Sequence, residues 1–194
     1  MILSTQGFIR VGLLVFFTVV LQVSAMERIT IFGGQPDLLP LVVAAVAIYA
    51  GSIPGAACGF VAGFTLDMMI SDHLGASSLV LTAIGYGIGR YREVRDPAHG
   101  LMPIPLGAAA TASYAIGTAA VGFMLSIDTS ATFGVISDMI VLLLLNTIIA
   151  LPVFAVVRRV LGPTLAIDPL ERRRRRQGPS STGPIGLRGL GIGR

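Results

Sequence analysis

From Leu38 to Leu66 the chain carries no charged side chain. One membrane-crossing helix needs roughly 20 apolar residues, so a run of this length holds two, and a chain built around it crosses the bilayer several times. Composition points the same way. Of 194 residues, 12% are charged and 54% hydrophobic, against about 25% charged in an ordinary soluble domain. A soluble globular fold is excluded. Disulfide chemistry is excluded too, because Cys58 is the only cysteine and its apolar setting is that of a small buried hydrophobe. Every basic residue is Arg, which reads as a composition bias.

Six apolar segments follow one another. The first reads Val11 to Met26 between Arg10 and Glu27-Arg28, and extends backwards to give about 8–26 if Arg10 snorkels to the interface. Its rival reading is a cleaved signal peptide ending near Val23-Ser24-Ala25; the spans that follow favour a retained anchor. The others are placed at about 38–53, 55–70, 76–89, 101–125 and 133–157. Pro54-Gly55 punctuates the second from the third, and the polar turn Ser71-Asp72-His73-Leu74-Gly75 the third from the fourth. Residues 1–161 thus form one transmembrane domain, an all-α bundle of six helices. The stretch 162–194 is rich in Gly, Pro, Ser and Arg without apolar periodicity, and is expected to be a disordered cytoplasmic tail.

Charge bias orients this plan. Six spans put 13 of the 14 Arg residues on the side that holds both termini, leaving only Arg28 opposite. By the positive-inside rule that side is cytoplasmic. Five consecutive arginines in the tail, Arg172, Arg173, Arg174, Arg175 and Arg176, should attract anionic lipid, at about 1 kcal/mol per charge near the surface.

The stretch most informative about function is Gly51-Ser-Ile-Pro-Gly-Ala-Ala-Cys-Gly-Phe-Val-Ala-Gly-Phe-Thr-Leu-Asp67, where Gly51, Gly55, Gly59, Gly63 and Asp67 recur every four residues. On a helix they form one stripe. Lipid offers no hydrophobic force between helices, so small residues that let backbones approach supply the packing. The stripe serves either packing within the bundle or the docking of another protein's helix. Asp67 costs at least about 2.5 kcal/mol at the bilayer centre unless paired or turned inwards. With Asp138 at similar depth it is a candidate buried acid pair, which could share a proton or meet Arg28; the alternative is that both acids reach interfacial water. Asn146, near mid-span, is expected to hydrogen-bond a neighbouring helix. His73 and His99 lack ligand partners at metal spacing and read as solvated loop residues. No catalytic residue, metal or cofactor is assigned, and no nucleic-acid partner. The run Gly85-Tyr86-Gly87-Ile88-Gly89-Arg90 is no phosphate loop, since no strand precedes it; Tyr86, Tyr91 and the arginines suit interfacial anchoring.

Together, Gly59-Phe60-x2-Gly63-x3-Asp67, then Gly75, then Ile84-Gly85-Tyr86-x2-Gly89 resembles the MreD family, the integral-membrane component of the bacterial cell-elongation machinery. The resemblance covers about residues 8 to 160 and leaves out the Arg-rich tail. It implies a multi-pass, non-enzymatic scaffold of the bacterial cytoplasmic membrane. Such a scaffold binds the bitopic protein MreC and helps couple the peptidoglycan polymerase and transpeptidase outside to MreB inside, in the control of cell shape. It also implies a bundle like the substrate-binding subunits of energy-coupling-factor transporters, and so an alternative function as a vitamin-binding subunit. The outer side offers few aromatic or polar residues and no tryptophan for such a pocket. An intramembrane enzyme would have only Asp67 and Asp138 to stand on. The resemblance singles out Gly59, Gly63, Asp67, Gly75, Gly85, Tyr86 and Gly89. The third-span stripe, with Gly85 and Gly89, is expected to form or support the contact with a partner's single helix.

Overall fold

A computed structural model describes residues 5–24, 35–70, 75–94, 103–124 and 133–162. Among them lie six helices, α1 (Thr5–Ser24), α2 (Leu38–Ala50), α3 (Ser52–Ile70), α4 (Ala76–Val94), α5 (Pro103–Met124) and α6 (Phe133–Leu161). Helices α3, α5 and α6 are long and apolar enough to cross a membrane, while α1 and α2 are apolar but shorter over their searched lengths.

The arrangement follows from α2. Its sequence, Leu-Leu-Pro-Leu-Val-Val-Ala-Ala-Val-Ala-Ile-Tyr-Ala, has no polar face, and a helix apolar all round belongs in an interior. Every α2 residue except Tyr49 is buried. Each of the other five helices packs on α2. They also touch one another in the closed order α1, α3, α4, α5, α6 and back to α1. One short central helix is thus ringed by five. The outer surface of the ring is apolar as well, with Phe17, Phe60, Phe64, Phe123 and Ile148 all exposed. A soluble protein rarely leaves so much apolar surface uncovered. Lipid is its proper solvent.

Helix limits differ from those read off the sequence, each for a local reason. The break between α2 and α3 falls at Gly51, whose φ of 106° is open to glycine and strained for other residues. Pro54 does not separate the two helices. It sits in the first turn of α3, where a missing N–H costs nothing because those N–H groups have no intrahelical acceptor. α4 runs on past Gly89 to Val94, where Arg90 and Glu93, 3.1 Å apart as an i,i+3 pair, support the helix beyond its apolar part. α6 continues to Leu161, its end carried inward by the buried Val157 and Leu161.

Candidate functional site

The glycine stripe of α3 is spent on α4. The two helices lie antiparallel, and small residues meet along their whole length. A Cβ added at Gly59 would overlap the Leu81 carbonyl, one at Gly63 the Ser77–Ser78 backbone, and one at Gly55 the Gly85 carbonyl and Ala47 of α2. From the other side, a Cβ at Gly85 would strike the Gly55 carbonyl, and one at Gly89 the backbone of Gly51 and Ser52. Only hydrogen fits at these positions, so the backbones touch and dispersion acts at its closest range. The Ser78 hydroxyl adds a hydrogen bond to the Phe60 carbonyl at 3.4 Å.

Each helix of this hairpin also caps the other. The first N–H groups of a helix lack intrahelical acceptors, and in lipid no water can replace them. At the α4 start, Asp67 Oδ2 accepts from Gly75 N–H at 2.9 Å, Ser77 N–H at 3.1 Å and Ser78 N–H at 3.4 Å. Gly75 takes a φ of 100°, which turns its N–H back toward that oxygen. At the α3 start, Glu93 Oε1 accepts from Ser52 N–H at 3.1 Å and from the Ser52 hydroxyl at 2.6 Å. A carboxylate at a helix N-terminus is further favoured by the helix dipole. Glu93 lies past the apolar part of α4. The hydrogen bonds from Ser52, with that from Arg90, hold its carboxyl down at about 2. Asp67 is fully buried, and its second oxygen, Oδ1, has no hydrogen-bond partner among the described residues.

A second polar cluster fixes the start of α2. Gln22 of α1 accepts from Leu38 N–H at 3.0 Å and donates to the Pro36 carbonyl at 3.3 Å. Asn146 of α6 accepts from Asp37 N–H at 3.0 Å, and its Nδ2 donates to the Asp37 carbonyl at 2.8 Å and to Thr111 Oγ1 of α5 at 3.1 Å. Asp37, just ahead of the helix, accepts from Leu39 N–H at 3.2 Å. Burial pushes its carboxyl up to about 6, against the lowering effect of that bond. The Tyr114 hydroxyl donates to Ser77 Oγ at 3.3 Å and so ties α5 to the capped end of α4.

The positions singled out in the sequence thus divide. Gly59, Gly63, Asp67, Gly75, Gly85 and Gly89 come together in one hairpin interface, with the glycine faces turned to the bundle and filled by it. Tyr86 lies apart, exposed on the outer surface. Asn146 reaches both the α2 start and α5. Asp138 lies on α6, but its side chain is outside the described residues, as are Arg28, His73 and His99. The expected lipid contact of Arg172, Arg173, Arg174, Arg175 and Arg176 also falls outside the described residues. Three structural acceptors went unread in the sequence: Gln22, Asp37 and Glu93. Only Asp37 left a signal, an Asp directly before an apolar run, which is an N-cap pattern.

A closed ring of helices with an apolar outside, welded by backbone contact and crossed carboxylate caps, defines an integral-membrane helical bundle whose polar groups hold structure together. More narrowly, the chain belongs to the MreD family: the family model for rod shape-determining protein MreD matches residues 4–161. Its family is a structural, shape-determining one. Comparison with curated proteins and with solved structures returns no match.

Proposed function

We propose that this protein is a non-enzymatic scaffold of the bacterial elongation machinery, which binds MreC and helps couple peptidoglycan synthases outside the membrane to MreB within. The family match over residues 4–161 carries this reading. Use of the described polar side chains supports it. Asp67, Glu93, Gln22 and Asn146 are engaged with helix ends, as a rigid framework for other proteins requires.

In this reading all six helices cross the cytoplasmic membrane, α1, α2 and α4 joining α3, α5 and α6, with both termini inside. The run Arg172 to Arg176 lies on anionic lipid, and Tyr86 anchors the interface. The bundle plan is akin to that of energy-coupling-factor binding subunits, with the outer polar cluster given over to holding α2.

The test is purification of the tagged chain from its native membrane in mild detergent, with mass-spectrometric identification of what accompanies it. MreC together with a cell-wall polymerase and transpeptidase is the expected result. Recovery of ABC-type ATPases with a membrane coupling protein instead would make the chain a transporter subunit.

A further inference from the structure

The arginines among the described residues, Arg10, Arg90, Arg92, Arg158 and Arg159, all lie at one end of the bundle. Two of them close helix ends there. Arg92 of α4 donates to the Tyr49 carbonyl at 3.1 Å, and Arg10 of α1 to the Val160 carbonyl at 3.4 Å. Tyr49 packs edge-on against Phe154 and feels the charge of Arg158, which sets the end of α6 beside the end of α2. Among the described residues Glu93 is the one acid at this end, and it is already engaged, Oε1 by Ser52 and Oε2 by Arg90. Five cations against one anion leave four positive charges in surplus. Arg158 and Arg159 stand exposed, and their side chains make no hydrogen bond or ion pair among the described residues. The fold does not use this charge.

The same end has a built recess. Gly89 meets Gly51 and Ser52 backbone to backbone, so the part of α4 beyond it, Arg90 to Val94, stands about 8 Å past the α2–α3 turn at 1.5 Å per residue. The step encloses a notch of about 440 Å³. Ser52, Arg92 and Glu93 give it polar walls, and Ile53, Pro54 and Val94 apolar ones. Ile53 and Val94 are 78% and 74% exposed. Ile53 shares a helix face with the exposed Phe60 and Phe64, seven and eleven residues on, so the apolar wall runs into the lipid-bathed side of α3. With one Nη on Tyr49, Arg92 keeps most of its guanidinium donors free, in a fork that suits phosphate oxygens. A soluble anion has no use for the apolar wall, and an acyl chain none for the cations. An amphiphile with an anionic head answers both.

We infer that the notch between the α2–α3 turn and the end of α4 holds the headgroup of one anionic phospholipid. Its phosphate lies on Arg92, within the positive field of Arg158 and Arg159, and an acyl chain runs along Ile53 and the α3 face. The site is separate from the arginine run of the tail and does not depend on the scaffold reading.

The full chain, purified in mild detergent and incubated with equal amounts of phosphatidylglycerol and phosphatidylethanolamine, tests the assignment by native mass spectrometry. One phosphatidylglycerol retained per chain, at least tenfold over phosphatidylethanolamine, is the expected result. Arg92→Gln should lower that retention at least tenfold. Arg158→Gln, which has no hydrogen bond to lose, should lower it at least threefold with the melting temperature unchanged. A variant with Arg172 to Arg176 all replaced by Gln should retain the lipid as the parent does. Equal retention of the two lipids, retention lost only in the tail variant, or retention indifferent to Arg158→Gln would overturn the site. Displacement of the lipid by excess glycerol 3-phosphate would also overturn it, by showing that a soluble anion suffices. In native membranes a photo-crosslinking amino acid at Ile53 should label anionic phospholipid. Labelling of a protein there instead would overturn the lipid assignment and make the basic end a docking face for an acidic partner.

Discussion

Asp67 acts through one oxygen, and three backbone N–H groups depend on it. Asp67→Ala leaves them unpaired inside the bundle, at about 1–3 kcal/mol for a buried group that loses its partner. A loss on the order of 3 kcal/mol is expected, read as a lower melting temperature in detergent. Asp67→Asn keeps an acceptor oxygen and caps almost as well, so it should cost under about 1 kcal/mol. Equal losses for the two variants would show that charge, and not the hydrogen bonds, is what matters.

The titrating caps at Asp37 and Glu93 act in separate pH windows and with opposite sign. Asp37 is raised from 3.8 to about 6 by burial, so the folded state disfavours its ionised form. Stability from this group is complete below about pH 4 and is lost as pH rises through 6. At about 1.4 kcal/mol per pK unit, the loss is on the order of 3 kcal/mol. Asp37→Asn should therefore melt higher than the parent at neutral pH, with a flatter pH profile. Glu93 is lowered from 4.5 to about 2. Its contribution is present above about pH 4.5 and disappears as pH falls through 2. Glu93→Gln should remove that acid-side decline; a decline that persists would assign it to other carboxyls.

Among the elements, the α3–α4 hairpin separates two kinds of glycine. Gly59→Ala or Gly63→Ala puts a methyl group into the facing backbone, which can yield only by moving the helices apart. Either substitution should cost the several kcal/mol typical of overpacking and lower the yield of folded protein. Gly87→Ala meets nothing and should be neutral or stabilise by up to about 1 kcal/mol through helix propensity. Melting temperatures of the three variants decide the matter. It follows that lost partner binding in a Gly63 variant would report a broken hairpin before it reported a partner surface.

How much of this was legible depends on the range of the interaction. Helix positions followed from apolar length, and the four-residue spacing of the α3 glycines marked a contact face, because both are local patterns. What the face touches was not legible, since packing on α4 and packing on a partner need the same small residues. Glu93 was hidden for a related reason. Within Arg90-Tyr91-Arg92-Glu93 it reads as interfacial charge, and its role as cap depends on Ser52, 41 residues earlier. The turn at Gly51 was obscured by Pro54, the louder signal, which a first helical turn accommodates.

For the whole molecule, the ring around α2 explains how a 13-residue helix can belong to a membrane bundle. It is about 20 Å long at 1.5 Å per residue, short of the roughly 30 Å hydrocarbon core. Its start is met by Gln22 and Asn146 from the surrounding helices, so its N–H groups need no water. Gln22→Leu with Asn146→Leu should therefore destabilise the bundle by more than either change alone. Orientation is testable separately. In a Cys58→Ser background, Arg28→Cys should react with a membrane-impermeant thiol reagent in intact cells, and Arg95→Cys only after lysis. The reverse pattern would invert the bundle.

The central claim is that this bundle is a scaffold for a partner's membrane helix. It is tested most directly by mixing the purified chain with purified MreC in lipid nanodiscs and weighing the assemblies by native mass spectrometry. A defined complex with full-length MreC, lost when MreC lacks its membrane-spanning helix, is the expected result. No complex, or one that survives removal of that helix, would contradict the claim.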